Sequence, residues 1–109
     1  MLFYSAEEFF RIAEKQKTLT YAERLSLADA MKAGDAAAKE KLLCSYLPYL
    51  AGVIRRQPPQ LQTLRLILRA WAMLEREAER FDFRQTGESF LHRLSWGMRQ
   101  AVTREIAER

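Results

Sequence analysis

The 109 residues contain no apolar run approaching the length of a membrane span, which argues against a transmembrane segment. The opening Met1-Leu2-Phe3-Tyr4-Ser5 meets Glu7 and Glu8 almost at once, and it has neither the basic flank nor the apolar stretch of a signal peptide. With one cysteine, Cys44, there is no internal disulfide to form. Its setting in Leu42-Leu43-Cys44 reads as a small buried hydrophobe rather than a reactive thiol. These absences imply a cytoplasmic protein. Histidine is equally scarce: His92 stands alone, with Trp96 rather than a carboxylate as its nearest companion on a helix face. There is no CxxC and no His-Glu-x-x-His, and Gly34, Gly52, Gly87 and Gly97 are too scattered to make a phosphate loop. We therefore expect no metal, no cofactor and no enzymatic activity. No stretch alternates with a period of two, and neither repeats nor low-complexity tracts occur, so strands are not expected.

What is present is a globular composition, 49% hydrophobic and 29% charged, in a length that suits one domain. The formal charge of +4 permits an acidic partner such as nucleic acid without demanding one. Helix punctuation runs throughout. Ser5-Ala6-Glu7-Glu8 and Thr20-Tyr21-Ala22-Glu23 both fit a capping box, opening helices over residues 5–17 and 20–33. Gly34 supplies a left-handed stop, and Asp35 caps the next helix, residues 36–46. Leu43, Leu47, Leu50 and Ile54 keep helical spacing across Pro48, where a kink or restart is expected. Gln57-Pro58-Pro59-Gln60 reads as a loop. A long helix then covers residues 61–83, with Leu64, Ile67, Trp71, Leu74, Ala78 and Phe81 inward. A turn at residues 82–89 leads to a final helix. The fold class is all-α.

The final twenty residues carry the most information. At 100° per residue, Phe90, Leu91, Leu94, Met98, Ala101, Val102 and Ile106 gather on one side. Trp96 falls opposite, beside His92, Arg99, Gln100 and Thr103, with Arg93 and Arg104 on the flank. A large aromatic on the wet face of a helix suits stacking on an unpaired base, while arginines hold phosphates and Gln or Thr reaches base edges. The same pattern also fits Trp96 packing beneath the N-terminal segment or in a dimer contact.

Residues 20–43, TYAERLSLADAMKAGDAAAKEKLL, resemble the opening of the helical domain of bacterial RNA polymerase sigma factors. The ending WGMRQAVTREIAE, residues 96–108, resembles that family's promoter-reading helix, which commonly runs Trp-Trp-Ile-Arg-Gln-Ala-Ile-Thr-Arg. Leu66-Ile67, Leu74 and Phe81-Asp82 fall at matching spacings, with one residue inserted near Thr86-Gly87. The resemblance implies a compact helical unit like sigma region 2 over residues 20–109, preceded at residues 1–19 by an extra helix and its connection. It also implies binding to polymerase clamp helices and capture of unpaired bases of the minus-ten element. Gln100 and Thr103 would read the upstream edge of that element, Trp96 would support strand separation by stacking, and Arg99 and Arg104 would hold phosphate.

The departures matter as much. The family's second tryptophan is Gly97 here, at a helix cost of about 1 kcal/mol against alanine, and a tyrosine of its melting segment is Arg93. Where the family places its docking motif Asp-Leu-Ile-Gln-Glu-Gly, this chain has Arg65-Leu66-Ile67-Leu68-Arg69-Ala70. Two acidic positions have become arginines, which turns attraction for a basic coiled coil into repulsion. Arg65, Arg69, Arg76 and Arg80 fall within roughly 60° of one another on the long helix. That stripe is either a solvated face paired along the helix with Glu75, Glu77 and Glu79, or a surface for phosphate or an acidic protein. Leu66 and Met73 are read as outward apolar residues near it, with Leu68 part of the same surface.

Two functions follow. The first is a sigma-like DNA-binding module in transcription, with Trp96, Gln100 and Thr103 as readers and His92, Arg93, Arg99 and Arg104 around them. The second is a protein-interaction or dimerisation module on the same scaffold, without DNA binding; its surface would be Arg65, Leu66, Leu68, Arg69, Arg76 and Arg80. A membrane-surface role fits poorly, because Glu105 and Glu108 interrupt the basic face. No second helix-turn-helix domain follows in this sequence, as expected of either a fragment or a stand-alone relative.

Overall fold

The Glu23 amide donates to the Thr20 hydroxyl at 3.1 Å, and the Thr20 amide donates to the Glu23 carboxylate at 2.8 Å. This closed capping box starts α2 (Tyr21–Lys32) in the computed structural model, which describes residues 3–85 and 87–108. The box at Ser5 is only half closed. Its hydroxyl accepts the Glu8 amide at 3.1 Å, but the Glu8 carboxylate reaches one residue further back, to the Tyr4 amide at 2.8 Å. It opens α1 (Ala6–Glu14), three residues shorter than the sequence suggests.

Gly34, at φ 101°, ends the α2 segment in the left-handed region, and Asp35 accepts the Ala38 amide at 3.0 Å to start α3 (Ala36–Cys44). Pro48 produces a restart rather than a kink: α4 (Leu47–Arg55) begins beside it, where a missing amide costs no hydrogen bond. Pro59–Leu61 forms a 3₁₀ turn inside the expected loop. α5 (Leu64–Arg80) is shorter at both ends than residues 61–83. Thr63 caps it by accepting the Leu66 amide at 3.2 Å, and Phe81 leaves the helix with ψ 141°. α6 (Gly87–Ala107) closes the chain. Thr86, at the expected insertion, lies outside the described residues. Among the described residues there is no strand, and no helix is long and apolar enough to cross a membrane.

α2 and α3 form one hairpin, and α5 and α6 run antiparallel against each other; α1 lies on α4 and α5, and α3 lies on α5. One core joins all of these. Phe3 and Phe9 of the N-terminal segment are fully buried in it. Phe90 is its aromatic centre, with ring centroids 4.8 Å from Tyr46 and 4.9 Å from both Phe81 and Phe83. Phe81 and Phe83 leave the helical path to make this cluster, which fixes where α6 starts. Because α5 is packed from more than one side, its buried arc is wider than a single apolar stripe. Leu66 (0% exposed) and Met73 (4%) lie inside it, which corrects their reading as outward residues. Leu68 is partly buried and packs on the core. Leu64 and Trp71, read as inward, are half-buried.

Candidate nucleic-acid interface

α6 is anchored by Phe90, Leu94, Met98 and Ala101 in the core, with Val102 partly buried against it. Leu91 and Ile106 sit at the edge of this arc and are exposed, so the buried stripe is narrower than the sequence implies. The position one turn after Ala101 is filled by Glu105, which is 2% exposed.

The opposite face is open. His92, Arg93, Trp96, Arg99, Gln100, Thr103 and Arg104 are all exposed, and Trp96 is 54% exposed rather than packed beneath the N-terminal segment. The Arg99 guanidinium lies over the Trp96 ring, 5.4 Å from its centroid. Such a cation–π contact is worth about 0.5–1 kcal/mol in the open, enough to bias the indole orientation without fixing it. The Thr103 hydroxyl donates to the Arg99 carbonyl at 2.8 Å, so its lone pairs remain to accept from a ligand. Arg93 is less available: it pairs with Glu77 of α5 at 2.9 Å and lies 5.9 Å from the Phe81 ring centroid.

Trp96 stands on a crest with a groove on each side. Toward α4, a groove of about 310 Å³ is lined by Tyr49, Val53, Arg56, Met98, Arg99 and Thr103, among others. Toward α5, a smaller groove of about 170 Å³ is lined by Arg69, Met73, Arg76, Gln100 and Arg104, among others. Gln100 and Thr103, which the sequence pairs as readers, therefore line different grooves. The α4 wall was missed by sequence reasoning. Tyr49, Val53 and Arg56 recur at helical spacing, a signal that becomes legible only once α4 is placed beside α6.

The arginine stripe of α5 divides in two. Arg65 Nε and Arg69 Nε lie 3.3 and 3.0 Å from the buried Glu105 carboxylate, and both guanidinium groups also engage Glu108. Hydrogen bonding to Arg65 holds the Glu108 carboxyl below its ordinary range, with the charges of Arg69, Arg65 and Arg104 adding to it. The expected pairing along α5 does not occur: Glu75 and Glu79 bind Lys39 of α3, and Glu77 binds Arg93. Arg76 and Arg80 are exposed, and their guanidinium groups enter no ion pair among the described residues. Cys44 is half-buried. Burial, helped by the charge of Glu40, pushes its thiol up to about 11, which keeps it protonated at neutral pH.

Gly97 faces α5. A Cβ there would lie 2.5 Å from Met73 Cγ and closer still to its sulfur, so the glycine makes room for the Met73 side chain.

The chain is 37% identical over 95 residues to the RNA polymerase principal sigma factor HrdD of Streptomyces viridifaciens. The match supports a sigma-factor relationship. It takes in 86% of this chain but only 28% of that sigma factor. No protein-family model matches the chain.

Proposed function

We propose that this chain is a sigma-like module in transcription initiation or its regulation, and that the outward face of α6 captures unpaired promoter bases. The observation that carries this reading is Trp96, more than half exposed on a rigid helix with the Arg99 guanidinium against its ring. An exposed indole biased in orientation by this contact offers a stacking platform, and the guanidinium beside it is suited to the adjoining phosphate. Gln100 and Thr103 serve as base-edge contacts; Arg99 and Arg104 hold the strand, with His92 and Arg93 at its margin. Residues 20–109 form the sigma-like unit, and residues 1–19 are an addition that shares its core. Similarity to a principal sigma factor supports RNA polymerase as a partner. On this reading, docking through the usual motif is weakened because Arg65 and Arg69 occupy its acidic positions and are committed to α6. The interaction-module alternative loses the argument from Leu66 and Met73, since both are buried.

The test is single-stranded DNA binding by fluorescence anisotropy at low salt, with duplex of the same sequence as competitor. We expect a preference for the single strand, and Trp96→Ala should cost roughly 1–3 kcal/mol, the worth of one stacked base. Gln100→Ala should reduce sequence preference more than total affinity. If neither form of DNA binds, the reading is wrong and the interaction module replaces it.

A further inference from the structure

The groove between α5 and α6 is lined by Met73 and Gly97 and by Arg69, Arg76, Gln100 and Arg104, among others. No carboxylate lines it. The acidic residues nearby are engaged elsewhere: Glu75 and Glu79 with Lys39, Glu77 with Arg93, Glu105 and Glu108 with Arg65 and Arg69. The guanidinium groups of Arg76 and Arg104 enter no ion pair or hydrogen bond among the described residues; Glu108 acts on Arg104 only through space. Two unpaired guanidinium groups at one shallow groove make a surface whose own charges repel until an anion arrives.

We propose that this groove holds a phosphate group of the bound DNA strand, clamped between Arg76 and Arg104. The inference rests on the DNA reading of α6 and extends it to a second helix. Guanidinium forks match phosphate oxygens in pairs, which distinguishes this clamp from a diffuse basic patch. The stripe on α5 thereby has two jobs. Arg65 and Arg69 hold the end of α6 in place, and Arg76 faces the ligand.

The experiment compares the full chain with Arg76→Gln, Arg104→Gln, the double variant, and Arg80→Gln as an exposed α5 control outside the groove. Matching melting temperatures establish that all are folded. Single-stranded DNA affinity is then measured across a salt series. Losing the one clamped phosphate should reduce the magnitude of the slope of log K against log salt by about 0.7 in the double variant, and each single variant should lose no more than that. The loss should be the same for any base sequence, and Arg80→Gln should change nothing. If the wild type binds DNA but Arg76→Gln behaves like Arg80→Gln, the groove assignment is overturned while the DNA reading stands. A second arm titrates inorganic phosphate and follows the Gly97 amide by NMR. If DNA does not bind but phosphate shifts that amide only when Arg76 and Arg104 are present, the site takes a free anion and the DNA strand as its source is overturned. No shift and no DNA binding overturn both.

Discussion

Gly97 shows how one residue can be misjudged from sequence. Read alone, it weakens a helix by about 1 kcal/mol relative to alanine and deletes an aromatic platform. In the structure it accommodates Met73, whose side chain occupies the space a Cβ would need. Overpacking a well-filled contact costs about 1–3 kcal/mol, which outweighs the gain in helix propensity. Gly97→Ala should therefore destabilise the protein, by about 1 kcal/mol net. With Met73→Ala as background the clash is gone, and the same substitution should stabilise by about 1 kcal/mol. Urea denaturation of the four proteins in this cycle checks the sign reversal; equal effects in both backgrounds would mean that Met73 moves aside at no cost. Trp96 was legible where Gly97 was not. The exposure of the indole follows from its own angle on the helix, whereas the role of the glycine depends on a residue twenty-four positions earlier.

At the scale of helices, the α5–α6 pair is closed at one end by charge. Glu105 is buried and its partners Arg65 and Arg69 are partly exposed, so the two halves of the network are not equivalent. Arg65→Met with Arg69→Met strands a buried carboxylate and should cost about 3 kcal/mol. Glu105→Gln leaves arginines that can turn to water and still bind Glu108, and should cost about 1 kcal/mol. Denaturant midpoints for the two variants check the asymmetry, and a larger loss for Glu105→Gln would refute it. The same geometry revises what the reversed docking motif means. Arg65→Asp with Arg69→Glu would bring new carboxylates against Glu105 and lower stability, so a docking test by charge restoration needs Glu105→Gln and Glu108→Gln as well. The starts of α1 to α3, both glycine and aspartate caps at residues 34–35, and an interruption at Pro48 were readable, because they depend on local chemistry, whereas the ends of α1 and α3 and both ends of α5 fall two or three residues inside their expected bounds. The burial of Leu66 and Met73 was not, because a single apolar stripe cannot reveal how many neighbours a helix has.

For the molecule as a whole, two carboxylates set part of its response to acid. Hydrogen bonds from the Thr20 backbone and then its hydroxyl hold Glu23 below the ordinary value of 4.5, and Arg65 does the same for Glu108. A carboxyl depressed in the folded state stabilises it fully above the unfolded value, and this contribution disappears as pH falls through the folded one. Stability should therefore decline below about pH 4.5, and Glu23→Gln with Glu108→Gln should make that decline shallower. Urea midpoints at neutral pH and through the acid range decide it; identical pH profiles would assign the decline to other groups. The all-helical class was evident from the sequence at this scale, but the pair of grooves was not, since each needs a wall from a distant helix. Those grooves have a consequence for any strand that crosses α6. Both flanks present guanidinium groups and an amide, but only the α4 flank adds a phenol and hydroxyls. A strand laid over the Trp96 crest meets the two flanks in a fixed order, and its mirror placement meets them reversed. The surface would thus distinguish the 5′-to-3′ direction of a strand even where the bases themselves read the same both ways.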